Sequence, residues 1–245
     1  MDDVTRLRKE YKDRERRFAG SDLYSWSNKA NLFTLQGRQR AVLSALKEHG
    51  LTDFKSLQIL EMGCGAGGVL KEFLAFGVPA RNLFGVDLLE DRLGDAGRDL
   101  GGSGFANADG QALPFQSRSF DLVMQFTALS SVLDPEIRRR ICRELLRVVK
   151  RDGLILSYDF WLNPVNRQTR GIGRDEIRRC FPGYQYEFHR ITLAPPIARR
   201  LVPISWTLAS FLESLRIFNS HYLSVIRPPD SLPGKQSVGR VGGES

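Results

Sequence analysis

The sequence predicts a doubly wound α/β fold, a mainly parallel sheet with helices on both faces. Three observations predict it. Short apolar runs at 57–62, 82–87, 104–108, 120–126 and 153–160 each end in turn or cap residues. Segments with helical spacing fall between them, at 67–76, 89–100 and 135–150. Strand–helix–strand repetition of this kind builds parallel pairs through right-handed crossovers. The 245 residues suit one such domain with extra helices and are too few for two full catalytic domains.

The remaining elements follow along the chain. Residues 2–18 are highly charged and lack Gly and Pro, which suits an exposed helix or a frayed arm. A loop rich in Ser and Asn follows, through Tyr24, Trp26 and Asn28. Helical spacing resumes over 37–49, with Val42, Leu43 and Leu46 on one side and Gly50 as the stop. Residues 1–50 thus read as an N-terminal helical cap on a domain spanning 51–227. Beyond the fifth strand, 173–181 reads as a helix and 184–193 as an aromatic-rich strand. Residues 195–218 have helical spacing interrupted by Pro203, and 220–227 form a last strand. The tail, 228–245, is rich in Gly, Pro and Ser and is expected to be disordered.

The strongest local signal is Leu57-Gln58-Ile59-Leu60-Glu61-Met62-Gly63-Cys64-Gly65-Ala66-Gly67-Gly68, a buried strand entering a glycine-rich turn and then a helix. Glycines let the backbone turn sharply and let a ligand approach main-chain N–H groups. Two cofactor patterns fit at once. Gly63, Gly65 and Gly68 satisfy the dinucleotide spacing G-x-G-x-x-G, whereas Gly63, Gly65 and Gly67 satisfy G-x-G-x-G. Glu61 separates them. A carboxylate two residues before the turn repels a pyrophosphate and attracts a cationic ligand. Asp87 ends the second strand, where an acid accepts ribose hydroxyls with either cofactor. Asp109 follows the third strand, where an acid can accept from an adenine amine while Leu88 sandwiches the ring. No Tyr-x-x-x-Lys occurs, so one common hydride-transfer site is missing.

The segments Glu61-Met62-Gly63-Cys64-Gly65-Ala66-Gly67, Gly85-Val86-Asp87, Ala108-Asp109-Gly110-Gln111-Ala112-Leu113-Pro114-Phe115 and Leu146-Arg147-Val148-Val149-Lys150-Arg151-Asp152-Gly153 resemble successive motifs of the class I S-adenosylmethionine (SAM)-dependent methyltransferases, of the type acting on small molecules and sugars. Their order and spacing match over about residues 56–160. The resemblance implies a Rossmann-like, seven-stranded sheet whose last strand is antiparallel. It implies that Glu61, Gly63, Gly65 and Gly67 hold the methionine part and Asp87 the ribose. Asp109, Gly110 and Gln111 would meet the adenine, and Gln125 would lie beside the methyl donor. Cys64, inside the turn, reads as a small space-filler.

Methyl transfer from a sulfonium is an in-line displacement, so the protein must align the reactants and exclude water. A hydroxyl acceptor also needs a base; a carboxylate acceptor does not. Ligands bind beyond the carboxyl ends of the strands in such sheets, and that rule selects Asp159, at the end of the fifth strand, and His221, at the start of the last, as the candidate base pair. Gln125-Phe126-Thr127-Ala128 lacks the Asn/Asp-Pro-Pro-Tyr/Phe motif that many amine methyltransferases carry after strand four. About 26 residues, Ala194 to Asn219, separate the last two strands, where a short hairpin is usual. That helical insertion, with Trp206, Phe211, Phe218, Arg199 and Arg200, reads as an acceptor-site lid with membrane contact as a further role. Arg167, Arg170 and Arg174, after strand five, could clamp a phosphate. The stretches Leu193-Ala194-Pro195-Pro196, Ser205-Trp206 and His221-Tyr222-Leu223 are similar to bacterial methyltransferases of polysaccharide or glycolipid synthesis.

The net charge of +8 favours anionic neighbours without choosing among them, and arginine runs such as Arg138-Arg139-Arg140 read as solvated helix faces. Three cysteines without metal-ligand or redox spacing point to a reducing compartment. No signal peptide and no span of about 20 apolar residues is present, so the protein is expected in the cytoplasm, at most peripheral to the inner membrane. No metal is expected. The expected acceptor is a small molecule, sugar or lipid-linked compound. The competing classes are a non-catalytic scaffold of the same fold and a nucleic-acid methyltransferase, and the latter lacks base-stacking modules and basic tails.

Overall fold

A computed structural model describes residues 3–18, 20–162 and 168–229. Seven strands form one sheet: β1 (Ile59–Met62), β2 (Leu83–Asp87), β3 (Gly104–Asn107), β4 (Phe120–Phe126), β5 (Val149–Phe160), β6 (Gln185–Leu193) and β7 (Asn219–Arg227). Their order is β3-β2-β1-β4-β5-β7-β6. The first five pair in parallel, and β7 runs antiparallel between β5 and β6. This is the expected class I methyltransferase sheet.

The strand order reverses between β1 and β4, and a ligand crevice opens at such a switch point. β1 is buried on both faces, as the central strand of a parallel sheet must be. Its even and odd residues therefore serve different cores. Ile59 faces the core built by α2 (Lys29–Glu48), α3 (Gly68–Ala75) and α4 (Glu90–Asp99). Leu60 and Met62 face the one built by α5 (Pro135–Val148) and α6 (Arg174–Cys180). Leu7 of α1 (Asp3–Phe18) joins that second core.

Side-chain caps explain where α2 and α5 begin. Asn28 accepts from the N–H groups of Ala30 and Asn31 and starts α2 eight residues before the recognised periodicity. Asp134 caps α5 in the same way, followed by Pro135 at the first helical position. The 195–218 insertion is α7 (Pro195–Leu201) and α8 (Trp206–Ser214), broken near Pro203. Both pack on α2 through a small core that includes Phe33, Ala198, Val202 and Ala209.

Two charged segments depart from the sequence reading. The charged N-terminal segment forms α1, a helix that is docked rather than free: Leu7 is buried, Arg6 donates to the Ser131 carbonyl at 2.6 Å, and Tyr11 donates to Ser131 Oγ at 3.2 Å. Arg138, expected on a solvated face, is fully buried. It pairs with Glu176 and donates to the Val132 carbonyl at 2.5 Å, tying α5 to α6. Periodicity marks position 138 as core, but arginine's polarity masks it. The 228–245 tail lies, beyond Pro229, outside the described residues.

Candidate functional site

The glycine turn after β1 depends on left-handed backbone. Gly63, Gly65 and Gly67 have φ of +75°, +53° and +72°. A Cβ at Gly63 would stand 2.6 Å from the Ala128 Cβ, so the loop after β4 closes down on this turn. Asp87 braces it from the next strand: its Oδ2 accepts from Gly65 N–H at 2.8 Å and its Oδ1 from Leu89 N–H at 2.9 Å.

A cavity of about 720 Å³ opens above the turn. Glu61, Gly63, Cys64 and Gly65 line its floor, with Glu72 and Arg38 on one wall and Tyr11, Tyr24 and Trp26 at the other side. A narrower cleft of about 60 Å³ adjoins it through Gly63, Tyr11 and Ala128. Asp87, Leu88, Asp109 and Gly110 line that cleft, together with Val4 and Leu7 of α1. So the sheet brings the acids of the first three strand tips to one crevice.

Glu61 is 2% exposed, and its Oε2 is buried without a hydrogen-bond partner. Burial raises its carboxyl well above the ordinary value, against the pull of the Arg38 and Arg92 guanidinium groups. Glu61 lines the cavity, and a buried carboxyl with an unpaired oxygen suits a cationic ligand that would favour its ionised form. The donor set therefore fits SAM: an acid for its ammonium group, flexible glycines for close approach, Asp87 for its ribose, and Leu88 with Asp109 for its base. Burial likewise pushes the Cys64 thiol up, and Cys64 packs in the core beside Gly85, as a space-filler would.

Other expected site residues sit elsewhere. Gln111 does not line either cavity; its amide donates to Asp109 Oδ2 at 2.9 Å and orients that acid. Gly67 starts α3, and a side chain there would strike Leu100. Gln125, expected beside the methyl donor, is instead fully buried on the α5 side of the sheet. Its Oε1 accepts from Ala128 and Leu129 N–H, and its Nε2 donates to Ser157 and Asp159, so it shapes the 127–131 turn.

The proposed base pair is not brought together. Asp159 and His221 point to opposite faces of the sheet, because His221 pairs with Phe160, not with Asp159. Neither residue lines the cavities. Asp159 Oδ2 accepts from Gln125 and Ser130, and burial lifts its carboxyl to about 7. His221 is walled by Tyr158 and Phe160, and burial lowers its imidazole to about 3.

The 195–218 insertion also contributes no lining residue; α1 and the 21–28 loop cover the crevice instead. Arg174 stacks over Phe188 and Tyr222, at 5.5 and 5.2 Å from the ring centres, and Arg167 lies outside the described residues.

Sequence reading missed Arg38, Glu72, Arg92 and Tyr11. Arg38 and Glu72 pair across α2 and α3 with side chains only 13% and 7% exposed, and Arg38 lies over the Phe126 ring at 5.3 Å. The Arg92 guanidinium lies over Gly65, close enough to meet any Cβ there at 2.9 Å. Charged helical residues give no hint of such positions until the helices are packed.

Comparison with known proteins agrees with this geometry. Residues 60–157 match the family model described as a methyltransferase domain. An uncharacterized methyltransferase of Mycobacterium marinum is 33% identical over 117 residues, covering 46% of this chain and 44% of that protein. The ubiquinone biosynthesis O-methyltransferase of Cereibacter sphaeroides is 30% identical over 133 residues, 53% of this chain and 51% of that protein. The chain thus spans about half the length of the curated relatives it matches. The structure of magnesium protoporphyrin IX methyltransferase from Synechocystis PCC 6803 with bound SAM superposes with a TM-score of 0.59 at 17% identity, over 93% of this chain and 98% of that one. Residues 60–157 thus match a methyltransferase domain, and the sheet that carries them, with the glycine turn at its switch point, has the fold of the class I SAM-dependent methyltransferases.

Proposed function

We propose that the protein is a SAM-dependent methyltransferase that methylates an oxygen of a sugar, glycolipid or related small metabolite of polysaccharide biosynthesis in the cytoplasm. One observation carries the methyltransferase reading: Glu61, with one buried oxygen unpaired, lines the cavity at the glycine turn. When bound, SAM supplies an electrophilic methyl group on a sulfonium.

The chain's own residues account for the rest. Glu61 holds a cation at the tip of β1. Asp87 presents a carboxylate whose remaining lone pairs suit ribose hydroxyls. Leu7 and Tyr11, from α1, roof the crevice and keep water out. The larger cavity exceeds the space one nucleoside needs and extends to Tyr24 and Trp26, flat rings suited to the apolar face of a sugar or quinone-like acceptor. The missing Asn/Asp-Pro-Pro-Tyr/Phe motif after β4 argues against nucleic-acid amines as acceptors.

For the base we favour Glu72, which lines the cavity and whose carboxyl burial raises above its ordinary value against the pull of Arg38. Asp159 and His221 are assigned to positioning, through the 127–131 turn and the end of β7. Calorimetry with SAM tests the cofactor; no heat of binding would leave the scaffold reading instead. Incubation with radiolabelled SAM and fractionated cell extract then asks whether label enters saccharide, lipid or nucleic acid.

A further inference from the structure

The β6–β7 insertion carries an apolar surface that the other described residues leave exposed. Ile204, at the turn between α7 and α8, is 82% exposed. Leu208, Phe211 and Leu215 follow at helical spacing, 46%, 58% and 44% exposed, and Ile217 is 63% exposed. Contiguous surfaces of this kind mark an interaction site. No described helix is long and apolar enough to cross a membrane.

The exposed charge of the insertion itself is of one sign. Between residues 195 and 218 the basic residues are Arg199, Arg200 and Arg216, all exposed. The single acid is Glu213, which turns inward, where it accepts from Leu193 N–H at 3.3 Å and burial raises its carboxyl. Exposed apolar side chains on a short helical hairpin that also carries three exposed arginines complement an anionic bilayer, whose headgroups meet the guanidinium groups while the apolar side chains enter the acyl boundary.

The insertion is also tied to the crevice. Trp206 meets the Phe33 ring of α2 edge-on at 5.1 Å. α2 in turn supplies Asn31, Leu35 and Arg38 to the cavity wall, and the exposed Tyr24 and Trp26 stand on the same rim. We propose that the α7–α8 hairpin docks the protein on an anionic phospholipid surface, with the cavity mouth beside the bilayer. The docking is independent of the methyl-transfer reading. Its consequence, an acceptor presented from the membrane, rests on that reading.

Flotation with vesicles of phosphatidylglycerol and phosphatidylcholine, against phosphatidylcholine alone, tests the docking. The full chain should bind the anionic vesicles at least tenfold better, with a blue shift of tryptophan emission. Ile204→Glu with Phe211→Glu should lose at least tenfold in vesicle binding while retaining far-UV circular dichroism and SAM heat. Arg199→Glu with Arg200→Glu should weaken binding and flatten its salt dependence. A wild-type chain that ignores both vesicle types overturns the proposal. So does one that self-associates in solution through Phe211 and binds no vesicle, because the surface is then a contact between two copies. Loss of SAM heat in the wild type, with vesicle binding retained, would count against the methyl-transfer reading alone.

Discussion

His221 lies flat on Tyr158, with ring centroids 4.7 Å apart and planes within 4° of parallel. The Phe160 ring lies tilted against it with centroids 4.0 Å apart, and Ser220 Oγ lies 2.9 Å from Nδ1. An imidazole held this way stays neutral, at about 3, because burial and the Arg38 charge oppose its protonation. Its folded value is below the unfolded one near 6.5, so the stability it contributes is present above about 6.5 and is lost as pH falls toward 3. His221→Phe keeps the stack and removes the proton site. Relative to wild type, the variant should gain stability as pH drops from 6.5, by up to about 1.4 kcal/mol per pH unit, and keep turnover within about threefold. Urea titrations across pH and a methylation assay check both. A loss of turnover of a hundredfold or more would return His221 to the chemistry.

Asp159 has the opposite sign. Its carboxyl is raised to about 7 by burial. Stability from the neutral form is therefore complete below the unfolded value of about 3.9 and falls as pH rises toward 7. Asp159→Asn keeps an oxygen for Gln125 and Ser130 and abolishes that titration. The stability difference between variant and wild type should grow in the variant's favour from about pH 4 to pH 7, and then level off. A difference independent of pH would show the carboxyl to be ordinary.

The contrast between these two residues shows what a sequence carries. Both sit at the carboxyl edge, as position along the strand predicted. Which face each addresses depends on β5–β7 register, and a pairing of His221 with Phe160 rather than Asp159 inverts the answer. The glycine turn was legible because its backbone demands are local: three left-handed positions leave little choice of residue. Glu61 and Asp87 were legible for the same reason, since each ends a strand that the alternation defines. Arg38 and Glu72 were not, because their partnership spans two helices whose packing no period encodes. Nor was the roof. α1 reads as solvated since Leu7 is the single side chain it buries deeply among the described residues. Its cover over the crevice depends on Arg6 and Tyr11 reaching Ser131.

Glu61 gives a prediction about protons. Its carboxyl is raised well above the ordinary value in the ligand-free crevice, with one oxygen lacking a hydrogen bond. A cation docking there favours the ionised form, so SAM binding should release a proton. Calorimetry in two buffers of different ionisation enthalpy should give different heats. Glu61→Gln should abolish that difference and weaken binding by about 10–100-fold, the scale of one hydrogen bond to a charged group, roughly 1.5–3 kcal/mol. Equal heats in both buffers for the wild type would mean that Glu61 is already ionised or does not meet the ligand.

Glu72 carries the chemical prediction. It lines the cavity one helical turn beyond Gly68 and is paired with Arg38, while Asp159 and His221 line neither cavity. Glu72→Gln preserves a partner for Arg38 and removes the proton acceptor. With a hydroxyl acceptor, kcat should fall by about 10²–10³, within the usual contribution of a general base. The acidic limb of kcat/KM against pH should vanish, and the SAM affinity should hold. Arg38→Met separates this from simple loss of packing: it unpairs a buried carboxylate, which costs about 3–5 kcal/mol of stability and should raise the pH at which the acidic limb sets in, since Arg38 lowers the Glu72 value. If Glu72→Gln turns over as the wild type does, the acceptor arrives without a proton to lose. A carboxylate would then replace the hydroxyl as the methylated group.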